Sequence, residues 1–182
     1  MSSRLRFIYL SYLSKPVSDR LIYRVIPRRK VLKIVEAGVG RGVRAGRMIE
    51  AAGFTAPAGQ VQYTGIDLFE ARSASDGPGL TLKTAHRLLK ATGARIRLLP
   101  GDPFSALARA ANTLMGTDLV VISADQDARS LARAWFYLPR MLHPRSLVYC
   151  EERLPGSQDA VLRLVPLAEI ADLAAARGRE AA

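Results

Sequence analysis

The chain ends its apolar runs in acidic residues, and a glycine-rich turn follows the first of them. Lys33-Ile34-Val35-Glu36-Ala37 leads into Gly38-Val39-Gly40-Arg41-Gly42. Glycine at every second position removes alternate Cβ atoms, which permits positive φ and lets a ligand approach the main chain closely. Val43 to Ala52 has helical composition, so the turn opens a helix N-terminus. A strand, a glycine turn and a helix N-terminus make a site for an anionic or nucleotide-like ligand. Asp67 closes the second apolar run and Asp102 follows the third. Ser123-Ala124-Asp125 follows the fourth, and Glu151-Glu152 the fifth. Carboxylates repel a pyrophosphate. They suit a ribose, whose hydroxyls donate hydrogen bonds, an exocyclic amine, or a ligand that is itself cationic.

Spacing separates the same alternatives. A dinucleotide fingerprint starting at Gly38 requires glycine at position 43, where Val43 stands. A phosphate loop requires Gly-Lys-Ser/Thr, which does not follow the turn. The two histidines, His86 and His143, have no obvious partner and read as structural or exposed. Cys150 reads as a core residue of a strand. Trp135, Phe136 and Tyr137 read as packing.

Such strand ends must be positioned by alternating strands and helices, the pattern of a mostly parallel sheet with helices on both faces. Strands are predicted at Val31–Glu36, Val61–Asp67, Arg95–Leu99, Asp118–Ser123 and Ser146–Cys150. Helices are predicted at about Val43–Ala52, Leu80–Thr92, Phe104–Leu114 and Ala128–Met141. Gly93 fits the position just past a helix end, and Asp102 fits an N-cap. Two further helices, residues 4–13 and 17–26, are broken by Lys15-Pro16. The second is predicted to carry a stripe of Val17, Leu21, Ile22, Val25 and Ile26, to be capped by Ser18 or Asp19, and to end at Pro27. After strand five the chain leaves room for one strand, Ala160–Val165, and one helix, Leu167–Arg177. The organisation is therefore an N-terminal helical segment, residues 1–30, packed on a single α/β domain, residues 31–182, with a truncated C-terminal part.

Composition bounds the function. With 182 residues and 49% hydrophobic content, the chain can bury a real core. One cysteine excludes an internal disulfide, and a reducing, cytoplasmic setting fits. No apolar run approaches the roughly 20 residues of a membrane span. Residues 1–14 lack a small-residue cleavage site and read as a docking helix rather than a signal peptide. Charge is uneven: residues 1–50 hold 12 Lys/Arg against 3 Asp/Glu, a net of +9, and residues 51–182 hold 15 against 13. A basic face of this kind meets nucleic acid, an anionic membrane or acidic small molecules. Arginine outnumbers lysine 22 to 5, which points to a compositional bias, and no aromatic–basic interleaving of a single-strand binder appears. Nucleic acid is a possible but not favoured partner.

Four segments taken in order carry a resemblance. They are Val35-Glu36-Ala37-Gly38-Val39-Gly40-Arg41-Gly42, Tyr63-Thr64-Gly65-Ile66-Asp67-Leu68, Leu99-Pro100-Gly101-Asp102 and Asp118-Leu119-Val120-Val121-Ile122. Over residues 31–152 the chain resembles the class I S-adenosylmethionine-dependent methyltransferases. The resemblance implies S-adenosylmethionine as cofactor. Gly38, Gly40 and Gly42 would then pass near its methionine and ribose, and Glu36 would stand near the methionine amino end. Asp67 would take the ribose hydroxyls and Leu68 the adenine face. Asp102 would meet the adenine amino group, with Pro103 or Phe104 beside the ring. Ser123 joins the expected cofactor-binding set.

Within that superfamily the chain is most similar to the macrocin-type small-molecule O-methyltransferases, through Gly65-Ile66-Asp67-Leu68-Phe69-Glu70. In that family strand four runs into an Ile-Asp-Gly-Asp-His segment whose carboxylates hold a divalent metal. Here the segment is Ile122-Ser123-Ala124-Asp125-Gln126. Asp125 and Glu151 remain as oxygen ligands of a kind Mg²⁺ accepts, but no metal site is assigned. Asp125 is the one catalytic candidate. The expected activity is methyl transfer to an oxygen or nitrogen of an unidentified small molecule. The alternatives are an inactive methyltransferase-like module, prompted by the altered strand-four segment, or a nucleic-acid methyltransferase, prompted by the basic N-terminal part. A short sheet also leaves an edge that a second subunit of a homodimer could cover.

Overall fold

The computed structural model describes residues 3–57, 59–153 and 160–180. The chain opens with α1 (Ser3–Ile8), a π-helical turn (Tyr9–Leu13) and α2 (Arg20–Arg29). There follow β1 (Lys33–Ala37), α3 (Val43–Gly53), β2 (Gln62–Asp67), α4 (Leu82–Lys90), β3 (Arg95–Pro100), α5 (Pro103–Ala110) and β4 (Thr117–Ile122). Then come α6 (Ala128–Ala134), β5 (Leu142–Arg153), β6 (Ala160–Leu164) and α7 (Leu167–Glu180). The sheet has six strands in the order β3-β2-β1-β4-β5-β6. The first five run parallel, and β6 lies antiparallel on β5 with Tyr149 opposite Leu164.

Alternation along the strands feeds two cores. Ile34, Tyr63, Leu119, Val121 and Tyr149 face a layer that includes Ile22, Tyr23 and Ile26 of α2 and Ala45, Met48 and Ile49 of α3. Val35, Ala37, Ile66, Val120, Ile122 and Val148 face the opposite layer, with Ala106 and Leu107 of α5, Trp135 and Leu138 of the segment after α6, and Ile170 of α7. The unbroken apolar run of β4 is explained by burial on both faces. Each fully buried aliphatic side chain, such as Ile22 or Leu119, contributes about 2 kcal/mol of transfer free energy. Trp135 is buried as a packing residue, as its sequence context suggests.

Several element ends differ from the sequence reading. Pro27 lies inside α2, which continues to Arg29 and stops where Lys30 turns left-handed at φ 53°. Proline has no N–H to donate one turn back, and the helix stops two residues after it. That helix starts at Arg20, so Val17 is exposed rather than part of its buried stripe. Asp19 occupies the cap position without making a side-chain cap bond. The predicted third and fourth helices stop early, at Ala110 and Ala134, and continue as 3₁₀ turns. β5 is twelve residues long, well beyond the predicted five. His143 does have a partner: its Nε2 lies 3.0 Å from Asp118 Oδ1. Asp118 also accepts the backbone N–H groups of Leu32 and Lys33, which ties β4 to the start of β1.

Candidate functional site

Strand order reverses about β1, whose neighbours β2 and β4 lead to opposite sides of the sheet. Crevices open at such a switch point, outside the carboxyl ends of the strands. The glycine turn sits there, with Gly38, Gly40 and Gly42 at φ 95°, 53° and 73°. Gly42 forms the left-handed N-cap of α3. A Cβ on Gly38 would stand 2.7 Å from Ser123 Cβ and from Gln126 Nε2, so only glycine lets β1 and β4 close here. A Cβ on Gly40 would meet nothing within 4 Å. The turn is therefore packed at its first glycine and open at its second.

Asp67 ends β2 beside this turn. Its Oδ2 accepts from Gly40 N–H at 2.8 Å and its Oδ1 from Phe69 N–H at 3.1 Å. Arg72 completes the set, donating Nε to Oδ1 at 2.7 Å and Nη2 to Oδ2 at 2.8 Å. Burial alone would raise the Asp67 pKa, but these four hydrogen bonds outweigh it and hold the carboxyl below its ordinary range. Phe69 is forced to φ 50°, an uncommon conformation for an aromatic residue, and packs with Val39 and Ala85. The turn after β2 is thus strained toward the glycine loop.

Asp102 caps α5, accepting Ser105 N–H at 3.1 Å on Oδ1 and a short hydrogen bond from Ser130 Oγ on the same atom. Partial burial raises its pKa, and the Ser105 and Ser130 bonds outweigh that, bringing it down to about 2. Asp102 also lines a small cavity. That cavity, of about 50 Å³, is bounded by Asp67, Leu68, Arg72, Asp102, Pro103 and Asp125, among others. The structure thus brings Asp67, Leu68, Asp102 and Pro103 to one place. The Arg72 guanidinium fills the side nearest Asp67.

Glu36 stands at the other end of the glycine turn, wholly buried. Arg44, on the first turn of α3, donates Nε to Glu36 Oε1 at 2.8 Å, and Tyr63 O–H makes a short hydrogen bond to Oε2. The same guanidinium reaches Asp19 at 3.3 Å, Glu151 at 3.4 Å, and Ser123 Oγ through a short hydrogen bond. One arginine is shared by three carboxylates. The arginine is therefore overcompensated, its pKa raised despite burial. The acids are undercompensated: desolvation pushes Glu36 and Asp19 above the ordinary carboxylate range. This cluster lines a second cavity of about 370 Å³, which also includes Gly38, Gly40, Ser123 and Pro16. Asp125 alone lines both cavities. It accepts from Gln126 Nε2 at 2.8 Å and lies 3.6 Å from Arg72 Nη2. Glu151 is engaged by Arg44 and by Ala124 N–H. Among the described residues no group of three or more His, Cys, Asp or Glu converges on a metal position.

Sequence reasoning found the acids and missed their arginines. Arg44 and Arg72 follow the glycine turn and Asp67 closely, and that proximity was the available signal. Asp19 was missed as a site residue because its partner lies 25 positions away.

No protein-family profile matches the chain, and no curated protein sequence matches it. Solved structures do. A SAM-dependent methyltransferase from Archaeoglobus fulgidus superposes with a TM-score of 0.50 at 16% identity, over 86% of this chain and 61% of its own length. The calicheamicin methyltransferase CalS11 gives 0.58 at 15% identity, over 89% of this chain and 90% of its own. The O-methyltransferase TomG from Streptomyces achromogenes, involved in tomaymycin synthesis and solved in complex with SAM, gives 0.54 at 11% identity, over 99% and 77%. The chain spans less than two thirds of the length of several matched structures. At these identities the likeness is one of fold: a Rossmann-like methyltransferase fold carried on a short chain.

Proposed function

We propose that this protein is an S-adenosylmethionine-dependent methyltransferase that modifies an oxygen or nitrogen of a small molecule. The observation that supports it is the pairing of the glycine turn with Asp67 and Asp102 at the switch point. Asp67 keeps two acceptor positions that no backbone group uses, which are the two held by Arg72. Vicinal ribose hydroxyls donate in the same way. The Asp102 carboxylate suits an exocyclic amine, and Leu68 and Pro103 offer apolar surface to a ring. The open space beside Gly40 leaves room for a ligand against the main chain. A nucleoside needs more than about 50 Å³, so these residues fit it once the Arg72 guanidinium moves aside.

Bound cofactor supplies an electrophilic methyl group on a sulfonium. The chain's own residues do the rest. The 370 Å³ cavity, with Asp19, Glu36, Asp125 and Glu151 set against Arg41, Arg44 and Arg153 on its walls, is polar and nearly charge-balanced, and holds the acceptor. Asp125, common to both cavities, takes the acceptor's proton as the methyl is transferred. Holding the two reactants in line supplies most of the acceleration. The macrocin-type reading rests on the sequence Gly65-Ile66-Asp67-Leu68-Phe69-Glu70.

A second reading, a binding module without catalysis, is favoured by one observation: Arg72 and Arg44 engage both Asp67 and Glu36. Calorimetry of the native chain and of Arg72→Ala with S-adenosylmethionine and its demethylated product separates the readings. Binding by both proteins, with turnover of labelled cofactor in the presence of small-molecule acceptors, supports the enzyme. Binding without turnover supports the module. No binding by either protein at millimolar ligand overturns both.

A further inference from the structure

The N-terminal segment is apolar on two sides. Its inner side is docked: Leu10 is fully buried, Phe7 packs edge-on against Phe54 at 5.8 Å, and Arg6 pairs with Glu50 at 2.6 Å. Its outer side presents Leu5, Ile8 and Tyr12 at helical spacing, with Leu13 and Val17 beyond them, each 47–65% exposed. Among the described residues eleven large hydrophobic side chains are exposed, and these thirteen positions hold five of them. A concentration of this kind calls for a partner.

Charge identifies the partner. Residues 1–30 carry 8 Lys/Arg and one acid, Asp19. That acid is buried on Arg44, so the segment's outward charge is entirely positive. The basic and apolar features meet at Arg24. The Arg24 guanidinium lies 5.8 Å from the Tyr12 ring centroid, and Arg28, Arg29 and Lys30 are exposed at the end of the same helix. A second copy of the chain would bring two positive segments together, which opposes association through this face. A nucleic acid would satisfy the cations but leave Ile8, Leu13 and Val17 in water, since aliphatic side chains are not stacking platforms. An anionic lipid surface meets both needs, with headgroups for the cations and the acyl boundary for the apolar row. No helix among the described residues is long and apolar enough to cross a membrane.

We infer that the N-terminal segment is a peripheral membrane-docking element that seats Ile8, Tyr12, Leu13 and Val17 in the interface of an anionic bilayer. The inner contacts hold the row in place beforehand, so docking orders little chain. Pro16 and Asp19 of this segment line the larger cavity, so the bilayer would lie on that side of the molecule. The inference does not depend on the transferase reading.

The test is co-sedimentation of the full chain with phosphatidylcholine vesicles, with and without phosphatidylglycerol, as sodium chloride rises. Binding is expected only with phosphatidylglycerol, falling as salt rises. Arg28→Gln/Arg29→Gln/Lys30→Gln should weaken it about a hundredfold, since each cation near the surface contributes about fivefold. Leu13→Asp/Val17→Asp should weaken it at least about tenfold. These positions are exposed, so unchanged thermal transitions are expected and confirm that the variants fold. No sedimentation with anionic vesicles at low salt overturns the inference, as does binding indifferent to Leu13→Asp/Val17→Asp. A dimer abolished by that pair would assign the face to a second copy instead. Tight binding to RNA or DNA, lost only in the glutamine triple variant, would assign it to nucleic acid.

Discussion

Arg44 and Arg72 each neutralise an acid at the end of a central strand, Arg44 on Glu36 of β1 and Arg72 on Asp67 of β2. Their surroundings differ. Arg44 stands on a helix, and its guanidinium joins three carboxylates drawn from α2, β1 and β5. Arg72 stands on a loop whose neighbours Ala71, Ser73 and Ala74 are exposed, and its strongest partner is Asp67, five residues away. The first pair ties three parts of the fold together and cannot leave without stranding charge in the interior. Removing the second leaves Asp67 still satisfied by the backbone N–H groups of Gly40 and Phe69. Under the proposed function a ligand would displace Arg72 from Asp67 and leave Arg44 in place.

The largest expected effect breaks the first half of that comparison. Arg44→Met leaves Glu36, Asp19 and Glu151 without their cation and should cost about 3–5 kcal/mol of stability by urea titration, the usual penalty for half of a buried pair. Equal stability of Arg44→Met and the native chain would show that the cluster is not a structural tie. Asp67→Ala is next. Two charge-assisted hydrogen bonds to a ribose should be lost, weakening S-adenosylmethionine binding at least about a hundredfold in calorimetry. Arg72→Ala should act in the opposite direction, tightening the same binding about tenfold, at a stability cost below that of Arg44→Met because the freed Asp67 keeps two backbone N–H partners. Weaker binding by Arg72→Ala would make that arginine a ligand contact rather than a competitor.

The smallest effect is a difference in pH dependence. Asp67 has a folded pKa below its unfolded one, so its contribution is present above about pH 4 and is lost as pH falls through the folded value. Glu36 has a folded pKa above its unfolded one, so its contribution is full below about pH 4 and is lost as pH rises through the folded value. On acidification the stability advantage of the native chain over Asp67→Asn should shrink. Its standing relative to Glu36→Gln should improve. Parallel pH profiles for the two variants would remove the electrostatic distinction between the two ends of the site.

How much was legible follows the same division. Local periodicity and strand-end position revealed the parallel sheet, the glycine turn and the acids, because a strand end and a φ-positive turn are written in adjacent residues. Gly38, Gly40 and Gly42 all take positive φ, and Gly93 ends the region of α4 at φ 80°. Helix ends were less legible, since Pro27 and the 3₁₀ turns after Ala110 and Ala134 answer to packing rather than to local propensity. The capping role of Asp102 was readable, whereas its bond from Ser130, 28 residues away, was not.

The sequence by itself determined which strand ends carry acid and where the main chain must bend, because both depend on side chains a few positions apart. Only the tertiary structure decided that each end of the site has its own arginine, one shared among three carboxylates and one on a loop. Ion pairs are chosen by distances across the folded chain. Arg44 meets Asp19 and Glu151 only after α2, α3 and β5 have packed around β1.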